Sequence, residues 1–351
     1  MQSIGKETTP AFRSLQILTL TEEEKYALAE LAASIKGNPY SDFESFYESI
    51  TPLREHVPQR IRGAFVSVRE RPRAGALIIR GLPLGGGIPP TPESPFAREP
   101  IFNLGTETYL VMLATIAAEP FSFKEWDAGH MVHNKYPIKS HREVQFGSNA
   151  VEFLIHTETP FREFSPDYIA LLCLRGDPTG VAQTRLCDIG EIIERLPEDH
   201  RKILEGPFFA FETDNPAVQI EGKSFTLPMP IISTRDQQLV FEYVHDLIAI
   251  RADAQAVLDE LKAKVVASTI NIFLTAGDLI LIDNSHMAHG RSAYEPMYNG
   301  TDRWLQRLLL TARLFSNRDK SEGRLISDKR LENYTTAYRN VLQSLAPTAQ
   351  G

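Results

Sequence analysis

Two side chains able to bind a metal follow a short apolar segment in the middle of the chain. The segment VEFLIH at 151–156 is typical of a strand, and it continues into HTE at 156–158. Side chains two residues apart on an extended strand point to the same face, so His156 and Glu158 are expected to project into one space. With a second imidazole they would form a two-histidine, one-carboxylate site, which leaves three positions of an octahedral Fe(II) open.

Two histidines further along the chain could supply that second imidazole. His286 and His289 lie three residues apart, just after the segment GDLILIDN at 277–284. Enzymes that combine such iron with 2-oxoglutarate need a cation for the distal carboxylate of this cosubstrate, and the planar fork of arginine suits a carboxylate. Arg303 follows His289 by 14 residues, whereas the same step from His286 reaches Gly300. The spacing therefore favours His289 as the third ligand.

The last predicted strand carries two arginines on one face. Strand alternation over residues 304–315 places Leu305 and Arg307 on the same side as Arg303, while the residues between them face the other way. The apolar neighbours of both arginines favour burial. Two buried cations in one interior require two carboxylates, and a cosubstrate and a substrate could provide one each.

Short strands separated by turns dominate the chain from about residue 144 onward, and this pattern is typical of a sandwich or a barrel. Two helical inserts, at 189–196 and 253–265, interrupt the strands. The predicted strands lie at 151–156, 168–174, 208–211, 238–243, 270–274, 279–282 and 304–315.

Residues 1–120 are predicted to be mainly helical and to pack on a core formed by residues 121–351, so that both parts make one cooperative domain. Thr21, followed by three glutamates, is typical of a helix start. The segment AGALIIRG at 74–81 predicts a buried strand that could join the later sheet. A Gly/Pro-rich loop follows it at 82–95. Further helices are predicted at 43–50, 55–69 and 106–118.

Composition excludes several classes of protein. The chain has 351 residues, 42% of them hydrophobic and 23% charged, which is typical of a folded globular protein. A net charge of −8 without a dense run of Lys or Arg argues against nucleic acid or an anionic membrane as partner. Two cysteines exclude a disulfide framework, and the N-terminus lacks the apolar segment of a secretory signal. A cytoplasmic location is therefore expected.

Four motifs occur in combination, namely HTE at 156–158, LCLRGDPTGVAQT at 172–184, GDLILIDN at 277–284, and HGR followed by DRWLQR within 289–307. In this combination the chain resembles the clavaminate synthase-like branch of the Fe(II)/2-oxoglutarate oxygenases. That branch contains hydroxylases of free arginine, asparagine and lysine. The resemblance covers roughly residues 130–315 and, more weakly, the strand and loop at 74–83.

The resemblance implies a fold, cofactors and site residues. The implied fold is α+β with a predominantly β core, a double-stranded β-helix (a jelly-roll, cupin-like barrel) with an N-terminal helical region and helical inserts. Fe(II), 2-oxoglutarate and O₂ are the implied cofactor and cosubstrates, with His156, Glu158 and His289 as iron ligands. Arg303 matches the residue that pairs with the C5 carboxylate of 2-oxoglutarate, and Thr184 matches a hydroxyl that assists it.

The same resemblance suggests contacts to a substrate. Arg307 matches the position that holds the substrate α-carboxylate. In some members an acidic pair grips a cationic side chain, and Asp246 could fill one of these positions, whereas Val244 occupies the other. Gln145 and Ser148, which lead into the metal-binding strand, could contact the substrate amino group.

The expected activity is hydroxylation of an unactivated C–H bond at Cβ or Cγ of a free L-amino acid with a polar or cationic side chain, such as arginine or lysine. A role in secondary metabolism, such as antibiotic biosynthesis, is expected. The carboxylate at position 158 argues against halogenation, because related halogenases have a small residue there. Desaturation or cyclisation of the same substrate is an alternative, and so is a non-catalytic barrel that binds small acids. No oligomeric state is predicted.

Overall fold

Helices cover the N-terminal part of the chain and return as inserts later. The computed structural model describes residues 14–71, 75–93, 105–124, 126–143, 150–160, 164–210, 218–220, 223–235, 237–313 and 323–327. Within these ranges lie seven α-helices: α1 (Glu22–Ala33), α2 (Phe43–Ile50), α3 (Gln59–Glu70), α4 (Thr106–Ala114), α5 (Ile189–Glu194), α6 (Glu198–Leu204) and α7 (Ala252–Ser268). Short 3-10 helices cover Thr51–His56, Asp127–Gly129 and Lys139–His141. None of the described helices combines the length and apolar character needed to span a membrane.

Strands make up most of the rest of the described chain. In chain order they are β1 (Leu15–Thr19), β2 (Ala76–Arg80), β3 (Glu119–Phe123), β4 (Val132–Lys135), β5 (Phe153–His156), β6 (Tyr168–Arg175), β7 (Thr184–Asp188), β8 (Phe209–Ala210), β9 (Val218–Ile220), β10 (Lys223–Phe225), β11 (Ile232–Arg235), β12 (Gln238–Phe241), β13 (Ile248–Ala249), β14 (Ile270–Ile272), β15 (Leu279–Asp283), β16 (Met287–Arg291), β17 (Trp304–Thr311) and β18 (Leu325–Ile326).

The strands form a large sheet, a small sheet and three ribbons. The large sheet has the order β1-β2-β15-β6-β17-β3-β18, with β4 beside β17. Its pairs are antiparallel except β1 with β2 and β18 with β3. The small sheet has the antiparallel order β14-β7-β16-β5. The ribbons pair β8 with β13, β9 with β10 and β11 with β12.

The two sheets lie between two layers of helices, and strand alternation sorts the core residues. On β15, Leu279 and Leu281 pack with the N-terminal helices, while Ile280 and Ile282 pack toward the small sheet. Leu186 and Met287 meet them from the small sheet. The other face of the small sheet packs on α5 and α7. The structure is therefore a mixed α and β fold in which two stacked sheets enclose an interior.

The described part of residues 1–120, which was predicted to be mainly helical, also contains strands. Predicted helices there are present, but β1 was not predicted, and β1 and β2 extend the large sheet itself. α4 ends at Ala114, earlier than the predicted 118. β3 includes residue 120, so the large sheet continues across the predicted boundary between residues 1–120 and 121–351. The division of the chain into these two parts stays a prediction. The short strands β7 and β16, each of which overlaps one of the motifs, were not predicted either.

A capping box fixes the start of α1, as the residues before it predict. The hydroxyl of Thr21 accepts from the amide of Glu24 at 3.2 Å, and the Glu24 carboxylate accepts from the Thr21 amide at 2.9 Å. We expect Thr21→Ala to lower the free energy of unfolding by about 1 kcal/mol, measured by urea denaturation. The exposed Glu30→Ala on the same helix is the control and should change it by less than about 0.5 kcal/mol. Equal effects of the two variants would contradict this role.

Candidate iron centre and cosubstrate cavity

Two neighbouring strands of the small sheet bring the predicted metal ligands together. His156 on β5 lies directly opposite His289 on β16, and Glu158 follows β5 by two residues. One ligand atom from each of the three residues lies within 4.8 Å of the others, and Glu158 Oε2 is 3.6 Å from His289 Nε2. All three side chains are buried. Residues more than 130 positions apart thus meet because antiparallel pairing fixes their register.

The hydrogen bonds and charges at this triad fit a metal. Nδ1 of His156 lies 2.7 Å from the carbonyl of Leu154, so the ring donates there and leaves Nε2 free. Burial, and then the neighbouring His289, lowers the pKa of His156 to about 3, so the ring is neutral and able to bind a cation. Two imidazoles and one carboxylate are the donor set that suits Fe(II) with open positions. The residues present therefore fit an iron ion.

A buried asparagine, which we did not predict as functional, holds the turn that carries Glu158. The side-chain oxygen of Asn284 accepts from the Glu158 amide at 2.7 Å. Its amide group donates to the carbonyls of Glu158 at 3.2 Å and Pro166 at 2.9 Å. The turn is thereby tied to the end of β15. Its place at the end of the motif GDLILIDN was the available signal.

The other candidate histidine lies outside this cluster. His286 packs edge-on against Phe241, with ring centroids 5.3 Å apart, and its Nδ1 is 2.7 Å from the Ser285 hydroxyl. A Cβ added to Gly190 would stand 2.8 Å from the His286 ring. His286 therefore fills space beside α5 and β12, and the structure groups His289, not His286, with His156 and Glu158.

A cavity of about 500 Å³ opens beside the triad, between the two sheets. Arg303 lines it and donates to the hydroxyl of Thr184 at 3.1 Å, so the two predicted cosubstrate contacts are neighbours. Arg303 is only 4% exposed, and burial lowers the pKa of its guanidinium. The cavity lining in the described chain comprises Trp126, Asp127, Lys135, Phe153, Glu158, Leu171, Thr184, His289, Gly290, Arg291, Arg303, Leu305 and Arg307.

Arg307 links the cavity to the triad. It donates to Glu158 Oε1 at 2.9 Å, and its centre lies 5.4 Å from the ring centroid of Trp126. Burial raises the pKa of Glu158, but the charge of Arg307 and the hydrogen bond with His289 outweigh it, so the pKa lies well below its usual range. Glu158 is therefore a carboxylate at neutral pH, as a metal ligand must be.

A fully buried histidine, which was not among the predicted site residues, orients Arg307. His133 on β4 pairs with Arg307 on β17, and its Nδ1 accepts from Arg307 Nη2 at 2.9 Å. Its Nε2 lies 2.9 Å from both the His130 carbonyl and the Ser122 hydroxyl. Burial, together with the charge of Arg307, lowers the pKa of His133, so the ring is neutral and can accept from Arg307.

Of the remaining predicted substrate contacts, the structure describes only Asp246, which does not line this cavity. Asp246 is exposed and is not among the described lining residues. Its near neighbour Val244 forms a bridge with His156, so the segment passes beside the triad while the Asp246 side chain faces outward. Gln145 and Ser148 lie outside the described residues.

Comparisons with known proteins identify relatives of this chain. The chain is 32% identical to L-asparagine oxygenase of Streptomyces coelicolor over 247 residues, which cover 70% of this chain and 73% of that protein. It is 28% identical to L-lysine 3-hydroxylase of Catenulispora acidiphila over 326 residues, 89% of this chain and 88% of that one. The solved structure of non-haem iron oxygenase OrfP with Fe and α-ketoglutaric acid (2-oxoglutarate) has a TM-score of 0.76 at 26% identity, covering 89% of this chain and 100% of that one.

A match to a protein-family model is consistent with these relatives. The model described as "Taurine catabolism dioxygenase TauD, TfdA family" matches residues 72–309, well over half of the chain. This span includes all three residues of the triad and the three arginines that line the cavity. The resemblance drawn from the four motifs is thereby confirmed. The chain belongs to the TauD/TfdA family of Fe(II)/2-oxoglutarate-dependent oxygenases.

Proposed function

We propose that the protein hydroxylates a free L-amino acid with a polar or cationic side chain at Cβ or Cγ. The observation that carries this proposal is one cavity, lined by Glu158 and His289 of the triad, that Arg303 and Arg307 also line. The relatives named asparagine oxygenase and lysine 3-hydroxylase support a free amino acid as substrate. Two cationic anchors in a cavity that also holds a metal site suit two carboxylates of different molecules.

The triad would hold Fe(II), and Arg303 with Thr184 would hold the distal carboxylate of 2-oxoglutarate. When bound, iron with 2-oxoglutarate and O₂ supplies the oxidant that attacks a C–H bond, and 2-oxoglutarate leaves as succinate and CO₂. Arg303 donates one N–H to the Thr184 hydroxyl, whose own proton remains available to a carboxylate. Burial between the sheets excludes water around this pair, which strengthens its interaction with an anion.

Arg307 would hold the α-carboxylate of the amino acid. One Nη of its guanidinium donates to Glu158 Oε1 and the other to His133, which fixes the plane of the fork toward the cavity. A substrate held there lies beside a ligand of the iron, so the C–H bonds nearest the α-carbon come closest to the triad. This placement favours Cβ or Cγ as the oxidised position.

Membership of this family also supports a proposal for the type of β core and for the metabolic role of the protein. We infer that the large and small sheets together are the double-stranded β-helix of these oxygenases, with α1 to α4 on one side and α5 to α7 on the other. A role in secondary metabolism is supported by relatives named enduracididine β-hydroxylase and clavaminate synthase. A cytoplasmic location stays a prediction.

The activity is tested with Fe(II), ascorbate and 2-oxoglutarate, the twenty amino acids, ornithine and citrulline. We expect O₂-dependent succinate together with a product one oxygen heavier than one of these amino acids, detected by mass spectrometry. A product two hydrogens lighter would instead indicate desaturation or cyclisation, since each of these reactions removes two hydrogen atoms from the substrate and adds no oxygen. Absence of succinate with every amino acid, in enzyme that binds Fe(II) and 2-oxoglutarate, would reject the proposed function.

A further inference from the structure

A lysine faces the cavity beside the proposed anchor for the α-carboxylate. Lys135 on β4 lies opposite Leu305 on β17, two positions along from the pair of His133 with Arg307. Strand alternation puts His133 and Lys135 on the same face of β4, the face that meets the cavity. The assignments of iron, 2-oxoglutarate and α-carboxylate leave the Lys135 ammonium without a use.

The contacts of Lys135 leave its ammonium able to bind a ligand. Nζ donates to Asp127 Oδ2 at 2.9 Å, and one quarter of the side chain is exposed. An ammonium has three donors, so two remain beyond this hydrogen bond. Burial, and then the charge of Arg307, lowers the pKa of Lys135, which indicates that a further anion would be favourable here.

The charges of the cavity also favour an anion. Among the described lining residues, cations outnumber carboxylates by four to two. Fe(II) would add two positive charges, and 2-oxoglutarate would remove two. An amino acid with a neutral side chain would leave this excess unchanged, and a cationic side chain would increase it. The four cations are Lys135, Arg291, Arg303 and Arg307, and the two carboxylates are Asp127 and Glu158.

We propose that Lys135 recognises the substrate side chain and selects one that ends in a carboxylate or carboxamide oxygen, as in aspartate, asparagine, glutamate and glutamine. This inference rests on the proposed function and narrows its substrate class. Lys135 and Arg307 are diagonal neighbours across a strand pair, a spacing of about 7–8 Å between backbones that long side chains shorten at their tips. A short amino acid can therefore place its α-carboxylate on Arg307 and its side-chain oxygen on Lys135.

The same arrangement disfavours lysine, arginine and ornithine. Their terminal cations would approach Lys135 and Arg307 within a partly buried space, where like charges repel more than they do in open water. Asp127 could attract such a cation, but its carboxylate already accepts from Lys135. Discrimination thus comes from an attractive contact for one class and a repulsive contact for the other.

The test compares wild type with Lys135→Met, which keeps the side-chain length and removes the charge. We expect wild type to favour the acidic and amide amino acids over lysine and arginine by about tenfold or more in kcat/KM. Lys135→Met should lose about tenfold or more for the acidic and amide substrates, mainly in KM, and should narrow the difference between classes. Calorimetric titration of the same amino acids into anaerobic enzyme should show matching changes in Kd. The exposed Lys124→Met is the control and should match wild type.

The outcomes separate this inference from the proposed function. Lys135→Met should still form the visible absorption band that Fe(II) and 2-oxoglutarate give without O₂, which shows that it is folded and loaded. Preference of the wild type for lysine, arginine or ornithine would overturn the role of Lys135, and so would a Lys135→Met variant with unchanged ranking. In either case, succinate formed with some amino acid would leave the proposed function standing.

Discussion

Replacing His289 by alanine is expected to abolish amino-acid-dependent succinate formation, whereas replacing His286 is expected to leave most of it. His289 contributes one of three donor atoms that lie within 4.8 Å of one another. Loss of a residue that merely supports a ligand costs about 10–100-fold in metal affinity or activity, so loss of the ligand itself should cost on the order of 1,000-fold. Succinate rates and bound iron per protein measure the two effects together.

His286→Ala is the matched control because it removes the same kind of side chain, an imidazole, at a position three residues before His289. His286 contacts Phe241 and Ser285 rather than the cavity, so its loss should destabilise the protein modestly and leave iron content unchanged. His289→Ala should also fail to give the anaerobic band of Fe(II) with 2-oxoglutarate. The assignment of the third ligand is wrong if His286→Ala loses iron and His289→Ala keeps it.

The second large effect is expected at Arg303. Arg303→Met should raise the KM for 2-oxoglutarate by about 100-fold or more, because a buried carboxylate would lose a charge-assisted pair worth several kcal/mol. Arg303→Lys should recover part of this loss, since lysine keeps the charge but not the planar fork. Steady-state kinetics with varied 2-oxoglutarate measures both variants.

Two observations control this result. Arg185 is adjacent to Thr184 on β7 but pairs with Glu152, so Arg185→Met should leave the KM for 2-oxoglutarate close to wild type. A 2-oxo acid that lacks the distal carboxylate should be a poor cosubstrate for wild type and should lose little further in Arg303→Met. A full drop with that shorter acid would mean that Arg303 supports the fold rather than the carboxylate.

Local patterns were sufficient for the triad and for the faces of β17. The two-residue period placed His156 and Glu158 together, and the distance to Arg303 separated His289 from His286. Alternation also put Arg303 and Arg307 on the cavity side, where the structure has them. These features depend on short sequence distances or on a single strand, so they can be predicted from the sequence alone.

Features that depend on long-range pairing could not be predicted in the same way. β4 has only four residues, VHNK, which do not alternate between apolar and polar. Its register against β17 is what brings His133 and Lys135 beside Arg307. Nothing in the local sequence specifies that register. Asp246 illustrates the converse, since its segment passes the triad while its side chain points outward. The strand β1 was missed because five residues with mixed exposure give a weak signal.

The origin of the site in two different sheets has a consequence for how such enzymes diversify. The three residues of the triad come from β5, its following turn and β16 in the small sheet, whereas His133, Lys135 and Arg307 come from β4 and β17 in the large sheet. With the roles proposed above, a substitution on β4 would alter which amino acid fits without moving the triad. Natural variation, or a mutant library restricted to the cavity face of β4, would then change the substrate preference while the residues of the triad stay the same.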